Sequence, residues 1–199
     1  VTVSRTSEEL IQMFRDQKTR EAVSHLLIHL GGKSTYGAIT KLLYIADRQS
    51  LQEQGRPITG DQMYALPQGP ILSVVLDRMN GSHPQYSDLI KHGPGYEVTL
   101  LQAEDPKELT YSDIRVLDEV LQRYGSLSWE ELKAITHEFP EWKKYDKGQD
   151  TWSIISLDDV ADALGFSDSQ RDALISNIRE RNAIVSFFSS LKDPDLAAI

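Results

Sequence analysis

A mainly helical fold, with a small antiparallel β element and a C-terminal helical extension, is what the 199-residue sequence predicts. Apolar residues recur at i, i+3, i+4 and i+7 over several stretches, and helix-start and helix-stop residues bracket those stretches. Only two segments alternate clearly at the period of a strand.

The first helix is expected from about Ser7 to Leu30, where Leu10, Phe14, Val23, Leu26, Leu27 and Leu30 share a face and Gly31-Gly32 stops the run. The strongest pattern spans about Thr35 to Gln54. Ile39, Leu42, Leu43, Ala46, Ser50 and Leu51 line one side, and Gly55 followed by Pro57 ends it. Turn chemistry follows in Gly55-Arg56-Pro57-Ile58-Thr59-Gly60-Asp61, where Pro57 fixes φ and Gly60 permits a positive one. Met63-Tyr64-Ala65-Leu66 reads as a short strand, and Pro67-Gln68-Gly69-Pro70 as an interruption before a helix near Ile71–Met79. Tyr96 to Leu100 alternates as a second strand, so the two strands suggest one small sheet on a helical body.

Ser112 is expected to cap a helix through Tyr124, with Gly125 beyond it. Ser128 and Glu131 have capping-box spacing for a helix toward His137, which Pro140 helps close. Gly148-Gln149-Asp150 is the expected boundary between a body at 1–148 and an acidic extension at 149–199. That extension holds a helix near Asp158–Leu164 and a longer one opened by Ser167 to Gln170. Ile184 to Phe188 fits helix or strand, and Asp193 to Ile199 is expected to fray.

Composition excludes several classes. Without cysteine there is no disulfide framework, thiolate metal site or cysteine nucleophile. No apolar run spans a bilayer, and the start, Val1 to Glu9, lacks a signal-peptide core, so a cytoplasmic protein is expected. Residues 1–100 balance 10 Lys/Arg with 10 Asp/Glu. Residues 101–199 hold 11 Lys/Arg against 20 Asp/Glu, so the whole net charge of −9 sits in the second half. Such a surface repels a phosphate backbone and suits a basic partner, which makes nucleic acid an unlikely ligand.

Catalytic patterns are incomplete. Gly32-Lys33-Ser34-Thr35 resembles the end of a phosphate-binding loop, but Leu27 stands where its first glycine belongs. His25 and His29 have metal-ligating spacing on a helix, with no further ligand near them in sequence, and a small metal-dependent hydrolase is the weaker alternative they suggest. His137-Glu138 lacks a second histidine at Glu141. No nucleophile elbow occurs, and adjacent pairs such as Asp158-Asp159 point apart on a helix. Neither a catalytic residue nor a cofactor is therefore assigned. Among the aromatics, Trp129 and Trp142 are read as core and Trp152 as an interface residue.

Four segments in order carry a resemblance: Lys41-Leu42-Leu43-Tyr44-Ile45-Ala46-Asp47-Arg48, Gly55 to Asp61, Tyr64-Ala65-Leu66-Pro67-Gln68-Gly69-Pro70, and Thr136-His137-Glu138-Phe139-Pro140-Glu141-Trp142. Together they resemble the Panacea domain of SocA-like antitoxins, which also occurs in phage and prophage proteins, over about residues 20–146. Leu76 stands where the resemblance leads one to expect an aromatic. The resemblance implies a bacterial, non-enzymatic antitoxin that binds a cognate protein toxin encoded by an adjacent gene. One branch of the family implies a proteolytic adaptor to an AAA+ protease instead, and a phage or prophage interaction protein is a further alternative. Tyr44, Asp47, Arg48, Arg56, Asp61 and Gln68 are expected to meet as a polar cluster, either fixing the loop to the helix or contacting a partner. Tyr64, Trp152, Phe187 and Phe188 complete the expected partner-binding set.

Overall fold

A computed structural model describes residues 14–82, 84–145 and 152–190, without the side chains of Gln85 and of 188–190. The expected start of the first helix at Ser7, the boundary at 148–150, the fraying tail and the Phe188 side chain lie outside the described residues.

Eight α-helices and two three-stranded antiparallel sheets are present among them. The central element is α2 (Tyr36–Gln54), capped by Thr35, whose side chain accepts from the Ala38 amide, and closed by Gly55 at φ 63°. Every residue from Ala38 to Asp47 is buried, because α1 (Asp16–His29), α3 (Ser73–Met79), α4 (Tyr111–Tyr124), α5 (Trp129–His137) and α7 (Leu157–Ala163) pack around it. An enclosed helix must be apolar or internally bonded on all sides. Accordingly Ile39, Leu42 and Leu43 are at most 1% exposed, and the Thr40 hydroxyl donates to the Tyr36 carbonyl at 2.8 Å. Truncating such a leucine to alanine costs about 2–5 kcal/mol.

The single expected sheet is in fact two. In the first, β5 (Glu97–Leu100) lies between β1 (Lys33–Thr35) and β4 (Ile90–His92). In the second, β2 (Met63–Leu66) lies between β3 (Gly69–Leu72) and β6 (Ser153–Ile154). Residues 67–70 do not end the β structure. Pro67-Gln68 is a two-residue hairpin turn, Pro70 sits opposite Ala65, and the following helix starts later, at Ser73. Pro70 is tolerated because β3 is an edge strand and needs no donor on its outer side.

The starts of α2, α4, α5 and α7 follow side-chain acceptors. The cap of α4 is Thr110, not Ser112: Thr110 and Asp113 bond reciprocally, whereas the residue three after Ser112 is Arg115, which cannot accept. Ser128 and Glu131 cap α5 as expected, and Ser156 and Asp159 repeat the motif at α7. Pro140 occupies the first turn of a separate short helix, α6 (Pro140–Lys143). The stretch Ile184 to Phe188 is helical, within α8 (Asp168–Ser190).

The described segment from Trp152 onward joins the body. Tyr64 pairs with Ile154 in the sheet, the Ile155 amide donates to the Met63 carbonyl at 2.9 Å, and Ile155, Val160, Ala161, Leu174 and Ile178 enter the same core as α2.

Candidate partner-binding site

The residues expected to form one polar cluster separate into distinct networks. On the α2 face toward α6, Tyr44 and Arg48 lie one turn apart and meet Glu141, itself 1% exposed. Glu141 Oε1 accepts from Arg48 Nε at 2.8 Å and from the Tyr44 hydroxyl at 3.3 Å. The Arg48 guanidinium also covers the Phe139 ring at 4.5 Å. Burial and then the Glu141 charge push the Tyr44 hydroxyl well above its ordinary pKa, so it acts as a donor. Glu141 was not singled out from the sequence, because its partners stand 93 and 97 residues away.

Asp47 is fully buried and anchors the 55–61 turn. Its carboxylate accepts from the Ile58 amide at 2.7 Å, the Thr59 amide at 2.9 Å and the Thr59 hydroxyl. Burial raises its pKa to about 6 against the lowering effect of those bonds. Asp61, also buried, caps α3 from a distance by accepting from the Val74 and Val75 amides at 3.1 and 2.8 Å. Arg56 turns the other way and pairs with Asp113 at 2.7 Å, a carboxylate it shares with Lys18 at 2.8 Å. Burial favours a raised Asp113 pKa, but hydrogen bonds from Lys18, Thr110 and Arg56 outweigh it and hold the group low. Asp47, Asp61 and Arg56 therefore join the turn to α2, α3 and α4.

Gln68 is exposed and accepts from Lys133 Nζ at 2.5 Å. Beneath this turn lies Lys41, 2% exposed and without a hydrogen-bond partner among the described residues. Burial and then the Lys133 charge depress its pKa to about 8. Gly69, at φ 103°, is required here: a Cβ would stand 2.6 Å from Lys41 Nζ. His137 stacks on Trp142 with centroids 3.9 Å apart, and the Trp142 indole donates to the Leu66 carbonyl at 2.9 Å, which clamps α5 and α6 onto the hairpin.

The expected core tryptophans differ in degree. Trp142 is 5% exposed, while Trp129 is half-buried over Gly37, where a Cβ would lie 2.7 Å from Nε1.

The chain belongs to the SocA-like antitoxin family. Residues 39–143 match the family model described as "Antitoxin SocA-like, Panacea domain". That span starts on α2 and ends in α6, so it holds the Glu141, Asp47 and Lys41 networks. No curated protein and no solved structure matches the chain.

Outside the matched span, Trp152 is 66% exposed and meets the Tyr64 ring edge-on at 5.5 Å. The two residues, with Leu66, Ile71 and Leu76, line a shallow groove across the sheet of the Panacea domain. Leu76, where an aromatic was expected, forms part of its wall. On α8, Ile184 and Phe187 are 56% and 60% exposed. No described helix is long and apolar enough to cross a membrane.

The histidine pair has a third potential ligand that sequence distance hid. Asp118 on α4 accepts from or pairs with His25 Nε2 at 2.7 Å, and donor atoms of His25, His29 and Asp118 lie within 4.8 Å of one another.

Proposed function

We propose that the protein is a cytoplasmic, non-catalytic antitoxin that neutralises a cognate small protein toxin by direct binding. The Panacea domain match is the observation that carries this reading. The groove beside Trp152 is the surface best suited to the toxin. It joins an apolar wall to two aromatic rings, and aromatic residues with large, ordered contact area dominate interface energetics. Tyr64 and Gln68 rim the same hairpin, and Phe187, exposed on α8, extends the contact, so the tail around Trp152–Phe188 helps choose the partner. Asp47 and Asp61 shape that surface from beneath by holding the turn and α3.

Co-expression with the neighbouring small open reading frame, scored for growth and then for co-purification, tests the proposal. Rescue with a stable complex supports direct binding. Rescue with loss of the toxin that depends on a cellular protease replaces it with the AAA+ adaptor mechanism. A neighbour that is harmless alone refutes both.

A further inference from the structure

Two packed helices bring three metal-ligating side chains together. His25 and His29 stand one turn apart on α1, and their rings lie 4.3 Å apart at 38°. Asp118 comes from α4, and its Oδ1 is 2.7 Å from His25 Nε2. One donor atom from each of the three lies within 4.8 Å of the others. The backbones beneath are fixed by the core, since Val23, Leu26, Leu117 and Val120 are fully buried. The three side chains themselves are open to solvent: His25 is half-buried, and His29 and Asp118 are exposed. Ligands mounted on packed helices keep their spacing better than ligands on loops.

A hydrogen bond adds a second observation. A backbone carbonyl only accepts, so His29 Nδ1, 2.8 Å from the His25 carbonyl, carries the proton and donates. The neutral ring then keeps its lone pair on Nε2. Metal-bound histidines are oriented in this way, with the other ring nitrogen donating to a carbonyl or a carboxylate. Bonds of about 2.0–2.2 Å to nitrogen and oxygen put the donor atoms of a tetrahedral site about 3.3 Å apart. Rotations of the exposed His29 and Asp118 side chains reach that spacing without moving either helix. Two imidazoles and one carboxylate suit zinc and its neighbours, whereas calcium and magnesium prefer all-oxygen shells.

We propose that His25, His29 and Asp118 bind one divalent transition-metal ion of the zinc class, with water in the fourth position. The ion takes the place of the proton between His25 Nε2 and Asp118, and it staples α1 to α4. Since α1 precedes the matched span 39–143 and α4 lies within it, the ion ties the N-terminal helix to the Panacea domain. This inference is independent of whether the protein neutralises a toxin.

The test is calorimetric titration of the untagged, chelator-washed full chain with zinc chloride at constant ionic strength, with thermal melts alongside. One saturable site per chain is expected. A free zinc concentration about a hundred times Kd should raise the thermal midpoint by about 5–10 °C. His29→Ala and Asp118→Asn should each weaken binding at least tenfold and abolish most of that rise. Both side chains are exposed, so the metal-free variants should melt close to the parent, which separates lost binding from lost folding. His92→Gln, at an exposed histidine on β4, should bind zinc as the parent does. No saturable zinc binding by the folded parent, binding no tighter than that of magnesium, or undiminished binding by the His29 and Asp118 variants overturns the proposal.

Discussion

Replacing Asp47 tests how the turn is attached to α2. Asp47→Ala leaves the Ile58 and Thr59 amides and the Thr59 hydroxyl without their acceptor in a site that solvent does not reach. Each stranded group costs about 1–3 kcal/mol. Relief of the buried charge offsets part of this: a pKa raised from 3.8 to about 6 corresponds to about 3 kcal/mol at neutral pH. The expected net loss is about 2–3 kcal/mol, a fall of about 5–10 °C in the thermal midpoint for a chain of this size. Asp47→Asn keeps an oxygen for both amides, turns its amide group to the Thr59 hydroxyl and carries no charge. At pH 7 it should be at least as stable as the parent. The raised pKa means that the parent carboxyl's contribution is full below about pH 4 and lost as pH rises through about 6. The parent should therefore gain on the Asn variant as pH falls from 7 to 5. Urea unfolding with unchanged slope reads all three proteins. An Asn variant as unstable as Ala at pH 7, or an Ala variant within about 0.5 kcal/mol of the parent, would refute this account.

Three further outcomes are expected. Glu141→Ala strips Tyr44 and Arg48 of their shared acceptor and should cost about 3 kcal/mol in urea unfolding, as expected for breaking a buried pair. Lys41→Met removes a buried ammonium with no hydrogen-bond partner among the described residues. In the parent, the pKa depressed to about 8 makes the unfolded chain bind more protons between about pH 8 and 10.4, so stability rises with pH there. The Met variant should lose that slope and be more stable at pH 7, which thermal melts across that window will show. Trp152→Ala should change stability by less than about 0.5 kcal/mol yet weaken toxin binding at least tenfold in a titration, because the ring is mostly exposed.

Local chemistry was legible where one segment contains its own reason. The boundary of α2 at Gly55, the β2 strand and the Ser128 cap each depend on neighbours within a few residues. The Thr110 cap is also local, since Asp113 stands three residues on, but Ser112 two positions later is an equally good cap by residue type. β1 and β4 could not be read locally. Each has three residues, too few to show a period, and each exists because β5 supplies its hydrogen bonds. The same holds for the site. The motif order indicated the Panacea family, but not that Asp47 and Asp61 face inward or that Arg48 finds Glu141.

By itself, then, the sequence determined the helical pattern, the acidic second half and the family, since periodicity, charge and motif order are properties of a linear string. Only the tertiary structure decided which charges are neutralised. Asp118 reaches His25, Asp113 satisfies both Lys18 and Arg56, and Arg15 meets Arg181 across 166 positions of chain. The cost of an unpaired charge depends on burial and on partners in space, and no spacing along the chain encodes either.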